Sequence, residues 1–154
     1  MAESSLTKRP EMLYEASLEY VDALVELHRD RRGLLAAYVS GLAVECVLQP
    51  IALHHGATDD AKHDLRNWLR KCPSVLQRTI SETVSTQWSF LNLVWTNRLR
   101  YLSRSGLYGH LKALELHRGL KGDQESIFKV NAKTMVDAAR AVHNKGIKTW
   151  AKTY

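Results

Sequence analysis

Along most of the chain apolar residues recur every three or four positions, and no segment alternates apolar and polar residues as a half-buried strand would. One stretch is apolar on every face: Leu34 to Leu53, LLAAYVSGLAVECVLQPIAL, in which Glu45 is the only formal charge. Ala and Leu dominate it rather than β-branched residues. Apolar side chains fall at Leu35, Tyr38, Leu42 and Cys46 and again at Val39, Ala43 and Val47, so the spacing predicts a helix. Because the apolar positions form no single stripe, this helix should stand at the centre of a bundle with neighbours on most sides. Pro50 lacks an amide donor and should kink or end its last turn. A membrane span needs about 20 uninterrupted apolar residues. Here Glu45, Gln49 and Pro50 interrupt the run, Arg31 and Arg32 precede it and His54 and His55 follow, so no membrane contact is expected.

Before this run, Met12, Ala16, Tyr20, Ala23, Leu24 and Leu27 define an amphipathic helix that ends in His28-Arg29-Asp30-Arg31-Arg32, a basic end favoured by the helix dipole. Gly33 is a plausible stop. So short a connection should leave the first two helices antiparallel. After the central run come a loop over 56–60 and a short helix through Leu65, Trp68 and Leu69, with Asp59 or Asp60 as its cap. Pro73 then opens a helix whose apolar positions Val75, Leu76, Ile80, Val84, Trp88 and Leu91 run without a visible break to Asn97. Residues 95–110 read as a turn that becomes helical near Leu107, and Leu111, Leu114 and Leu116 belong to a fifth, shorter element. The polar stretch 117–126 reads as a loop. A last helix is expected from Ala132 to His143, with Asn131 as cap and Gly146 as stop. The expected fold is all-α, an up-and-down antiparallel bundle of four to five helices. It comprises a flexible arm (1–10), one bundle domain (11–146) and a basic-aromatic tail (147–154) that either packs back or extends.

A chain of 154 residues can bury a proper core as one domain. Its formal charge of +6 and pI near 9.4 favour an acidic partner, of which nucleic acid is the commonest. The basic residues cluster at Arg29, Arg31 and Arg32, at Arg98, Arg100 and Arg104, and between Lys145 and Lys152. A groove joining two of these clusters would bind phosphates. Cys46 and Cys72 have neither disulfide nor metal spacing, and residues 1–12 lack the apolar core of a signal peptide, so a reduced, cytoplasmic protein is expected. A buried Glu45 requires either a basic partner on a neighbouring helix or a place in a site that shifts its pKa. His63 either fixes the loop to a helix or is that partner. His54, His55, His63 and Asp64 lack the spacing of a zinc set, so no metal is assigned. Ser40, Ser103 and Ser105 sit in no nucleophile elbow, and no strand leads into a phosphate loop. Trp68, Trp88 and Trp95 have helical spacings and read as core or dimer-interface groups. Trp150, between Lys148 and Lys152, either docks or stacks on a base.

Three pieces in order, AYVSGLAVECVLQ, HDLRNWL and then Trp95 with Arg100 and Tyr101, resemble the HEPN domain, the higher eukaryotes and prokaryotes nucleotide-binding helical bundle. The resemblance covers roughly residues 13–142. It implies a helical bundle, frequently homodimeric and often paired with a nucleotidyltransferase-type antitoxin. Active members resemble one another in an arginine and a histidine a few residues apart that act as a metal-independent endoribonuclease needing no cofactor. Arg104 and His110 fit that spacing, without the usual asparagine after the arginine and with two glycines between them. The resemblance then implies His110 as general base toward a ribose 2′-hydroxyl and Arg104 as the stabiliser of phosphate charge, with Arg98, Arg100 and Tyr101 as substrate-binding groups and Glu45 and His63 as supports. The function it implies is RNA binding with cleavage, as a toxin or effector of a toxin–antitoxin or defence system. The alternative is a catalytically silent module that docks a nucleotidyltransferase or a larger complex.

Overall fold

In a computed structural model of the chain, residues 2–29, 32–58 and 63–153 are described, with side chains described from Arg9 to Lys152 within those ranges. The helix α2 (Gly33–His54) runs through the middle of a helical bundle and buries residues on all its faces, from Ala36 and Ala37 through Val44 and Leu48 to Ile51 and Ala52. Its length and apolarity alone would suffice to cross a membrane, yet 72% of its most apolar stretch is covered by the other helices. Core position explains its composition. Pro50 removes one hydrogen bond but does not end the helix, which continues for another turn to His54.

Paired contacts give the direction of each neighbour. The helix α1 (Ala2–Arg29) turns back through Arg32, whose amide bonds Leu27 O, and lies antiparallel to α2. The last helix, α7 (Gln124–Thr153), runs parallel to α2: Phe128 packs where Gly33 lacks a Cβ, and Val47 packs in the same way on Gly146. The middle of α1, the end of α2 and the last turns of α7 meet in an aromatic cluster, where Tyr14 stacks on Trp150 at 5.1 Å and His54 meets the same indole edge-on at 5.5 Å. Between α2 and α7 the chain climbs back through three short helices, α3 (Leu65–Arg70), α4 (Ser74–Thr83) and α5 (Ser85–Val94). Cys72 Sγ lies 3.4 Å from Leu48 O and Trp95 Nε1 donates to Tyr38 O at 3.0 Å, so α4 and α5 together form an ascending fourth pillar. A 3-10 turn (Asn97–Tyr101) and α6 (Arg104–Ala113) close the upper end. Trp68, Leu48, Ile51, Leu76 and Leu91 have no exposed surface, and burying each such side chain stabilises by about 1.5–3 kcal/mol.

The bundle agrees with the expected class, while its elements differ in several places. Among the described residues there are seven α-helices rather than four or five. Helix α1 already includes residues 2–10, read as an arm, since nothing in that stretch forbids helix and Pro10 is accommodated within it. The long helix expected after Pro73 breaks at Val84, whose φ of −136° and ψ of 33° leave the helical region. The apolar period passes through this point unchanged because Val84 still faces the core. Helix α7, with 30 residues, extends well beyond the expected span of 132–143 at both ends. Asn131 is buried inside it, its amide donating to Ile127 O and Leu116 O, and the start is capped instead by Asp123, whose Oδ1 accepts from the Ser126 amide at 2.9 Å. That bond, with a second from the Ser126 hydroxyl, holds the Asp123 carboxyl below its usual pKa. Gly146 does not stop α7 but lets it approach α2, and the 147–154 stretch, described to 153, continues the helix with Trp150 buried. Asp64, rather than Asp59 or Asp60, caps α3, accepting from the Arg66 and Asn67 amides at 3.0 and 3.2 Å. Asp59 and Asp60 lie outside the described residues.

Candidate nucleic-acid interface

At the upper end of the bundle the start of α2, the 3-10 turn and the start of α6 surround a cavity of about 490 Å³. Arg32, Arg100 and Arg104 contribute its charge, and Leu34, Leu35, Tyr38 and Leu99 its apolar walls. Two of the basic clusters, 66 or more residues apart in sequence, thus meet over one cleft. Local chemistry builds each edge. Thr96 starts the 3-10 turn by accepting from the Arg98 amide at 3.1 Å, and Ser103 starts α6 by accepting from the Gly106 amide at 3.2 Å. Those two caps place Arg100 and Arg104 on the same rim. Beside it the Arg100 guanidinium lies 4.6 Å from the centre of the Tyr101 ring, which is 74% exposed. Arg98 is exposed on the same turn but does not line the cavity.

Arg104 is also held from the side. Its guanidinium pairs with Glu125, in the first turn of α7, and sits 5.3 Å from the centre of the Phe128 ring. Both partners of the pair are more than half exposed, so water screens the bridge and it contributes at most about 1 kcal/mol. Glu125, Phe128 and Lys129 line a smaller adjoining cavity of about 220 Å³ with His28 and Gly33.

His110 faces elsewhere. Its Nε2 lies 3.0 Å from Val94 O, and since a carbonyl can only accept, Nε2 carries the proton and Nδ1 is the ring nitrogen that can take another. Six residues along a helix separate two side chains by roughly 120° around the axis and about 9 Å along it. Arg104 accordingly reaches α7 and His110 reaches the end of α5. Within one chain the two proposed catalytic residues are therefore bonded to different neighbours on different sides of α6.

Glu45 and His63 form a separate constellation further down α2. His63 Nδ1 stands 3.1 Å from both carboxylate oxygens, tying the segment before α3 to the middle of α2. Glu45 is buried while His63 is half exposed. Burial, reinforced by Glu45, pushes the Cys46 thiol up to about 12, and burial alone raises Cys72 to about 12. Neither sulfur is a nucleophile at neutral pH. Among the described residues no three His, Cys, Asp or Glu side chains converge as a metal site would require.

Sequence spacing singled out Arg100 and Arg104 but not Arg32, Tyr38 or Glu125 as members of this site. Arg32 carried a signal, its basic cluster beside the central helix. Glu125 carried none, because its segment reads as loop until the Asp123 cap is seen. Compared with known proteins, the chain matches no family model, no curated protein and no solved structure.

Proposed function

We propose that this protein is a HEPN-like RNA-binding module whose contact with RNA runs through the arginine cleft. The observation that carries the proposal is the meeting of Arg32, Arg100 and Arg104 over one partly apolar cavity. Guanidinium groups bind phosphate oxygens in pairs, and a flexible single strand can follow such a rim while a base stacks on the exposed Tyr101. Binding is favoured over cleavage because Arg104 and His110 are held by different neighbours within the chain. A ribonuclease would need two subunits to complete its site, as the resemblance implies for a homodimer.

The test is a short labelled single-stranded RNA incubated with the protein in EDTA and run on native and denaturing gels. Retarded but intact RNA, with affinity at least tenfold weaker in Arg32→Gln/Arg100→Gln, is the expected outcome; each lost charged hydrogen bond costs about 1.5–3 kcal/mol. Cleavage that disappears in His110→Ala would instead assign the protein to the endoribonucleases, and unretarded RNA would remove the proposal.

Glu125 gives a result of opposite sign. Phosphate must compete with this carboxylate for Arg104, and the exposed bridge is weak. Glu125→Gln should therefore tighten RNA binding by roughly three- to tenfold, corresponding to about 1 kcal/mol of released competition. Fluorescence anisotropy at fixed salt measures it; unchanged or weaker binding would show that Arg104 makes no phosphate contact.

A further inference from the structure

A second basic cleft lies at the opposite end of the molecule. The turn after α2, the beginning of α4 and the last turns of α7 enclose about 350 Å³, with Lys145, Lys148 and Lys152 on one side and Pro73 and Val75 on the other. His55 completes the rim. The three lysines are spaced three and four residues apart and so share a face of α7, where like charges repel. Among the described residues none of them makes an ion pair, whereas Lys133 on the same helix bonds Asp137 at 2.8 Å. Asp137 is the last acidic residue of the sequence.

The helix dipole accounts for only part of this arrangement. It favours a cation within the final turn, which holds Lys152, but its effect has faded by the positions of Lys145 and Lys148. Val75, 66% exposed on α4, forms an apolar wall facing three ammonium groups. Such a cleft suits a ligand that carries several phosphates.

We propose that the α4–α7 cleft is a second phosphate-binding site, holding consecutive phosphate groups against Lys145, Lys148 and Lys152. Two sources share this chemistry, the backbone of a single-stranded RNA and a free polyphosphate. In the first case the cleft adds a second contact for the RNA of the proposed function; in the second it stands apart from that function.

The experiment is amide NMR of the full chain titrated with inorganic tripolyphosphate and, separately, with a short single-stranded RNA. Three proteins are compared: the wild type, Lys145→Gln/Lys148→Gln/Lys152→Gln, and Arg32→Gln/Arg100→Gln. In the wild type and the arginine variant, the amides of Val75, Thr79, Lys148 and Thr149 should shift with tripolyphosphate, with RNA, or with both, and the shifts should vanish in the lysine variant. Response to RNA alone assigns the backbone as ligand, and response to both admits the free polyanion. If RNA is bound here, the lysine variant should also lower the slope of log affinity against log salt by about 2, at roughly 0.7 for each lost phosphate contact. Unshifted amides with both probes, or shifts that persist in the lysine variant while its spectrum remains that of a folded protein, would overturn the proposal. No RNA response at the upper cleft of the wild type, with these shifts present, would remove the arginine reading alone.

Discussion

Gly41→Val is expected to destabilise the bundle by about 3 kcal/mol or more, the sum of about 1–3 for overpacking and about 1 for a broken hydrogen bond. A Cβ at this position would stand 1.9 Å from the Trp95 indole, which lies flush against the α2 backbone. The ring cannot simply move aside, because its Nε1 donates to Tyr38 O at 3.0 Å and its body is buried. On an exposed helix face, replacing glycine would gain up to about 1 kcal/mol of helix propensity. Here the fit of two elements reverses that sign. For a chain of this size the loss should lower Tm by about 10 °C, measurable by circular dichroism. A second variant, Gly41→Ala/Trp95→Phe, should recover part of the loss of Gly41→Ala, since the smaller ring leaves room for the methyl group. A wild-type melting curve for Gly41→Val would show that the indole does not occupy this position.

Acidification should weaken the fold through His143. This ring is 2% exposed, with Nε2 3.0 Å from Ser17 Oγ, and the Ser17 hydroxyl in turn donates to Tyr14 O at 2.6 Å. Serine therefore accepts and Nε2 carries a proton, which links α1 to α7 across 126 residues. Burial pushes the His143 pKa down from 6.5 to about 4, although nearby Asp22 opposes the shift. The unfolded chain takes up its proton near pH 6.5 and the folded chain only near pH 4, so stability rises with pH across that window. The contribution is fully present above pH 6.5 and lost as pH falls, to a total of about 3 kcal/mol from 2.5 pH units at about 1.36 each. Against ordinary domain stabilities of about 5–15 kcal/mol this is a large share. His143→Gln keeps a neutral donor but does not titrate. Between pH 7 and pH 5 the wild type should lose about 2 kcal/mol more than this variant in urea unfolding. Parallel pH profiles for the two proteins would contradict the assignment.

What could be read from the sequence was set by periodicity, and what could not was set by long-range contact. Residues 34–53 have apolar groups on every face, a pattern with few outcomes other than a central helix, and α2 is one. Val84 interrupts the following helix through its backbone angles alone, while Ile80, Val84 and Leu91 keep their inward spacing, so composition has nothing to report there. Gly146 shows the opposite case. Glycine near a basic helix end resembles a stop signal, but its purpose here is contact with Val47, a residue nearly a hundred positions earlier. The cleft follows the same logic. Each arginine cluster is visible locally, but their meeting depends on where Thr96 and Ser103 restart the chain after α5. The separation of Arg104 from His110 could be estimated from helical geometry once α6 was known to begin at Arg104, a boundary that the expected start near Leu107 had hidden.

The aromatic cluster of Tyr14, His54 and Trp150 brings the first and last helices of the chain to the same pole of the bundle. Chain order is then only one way of threading this set of pillars. Helix α1 starts 12 residues, about 18 Å, before Tyr14, so a flexible bridge that joined the end of α7 to it would have to span most of that length. New termini could be opened in the surface turn between α6 and α7, where Gly119 and Gly122 adopt φ of 74° and 112° and carry no core side chain. A bundle rethreaded in this way would keep both clefts, with its chain opened in the neighbourhood of the arginines.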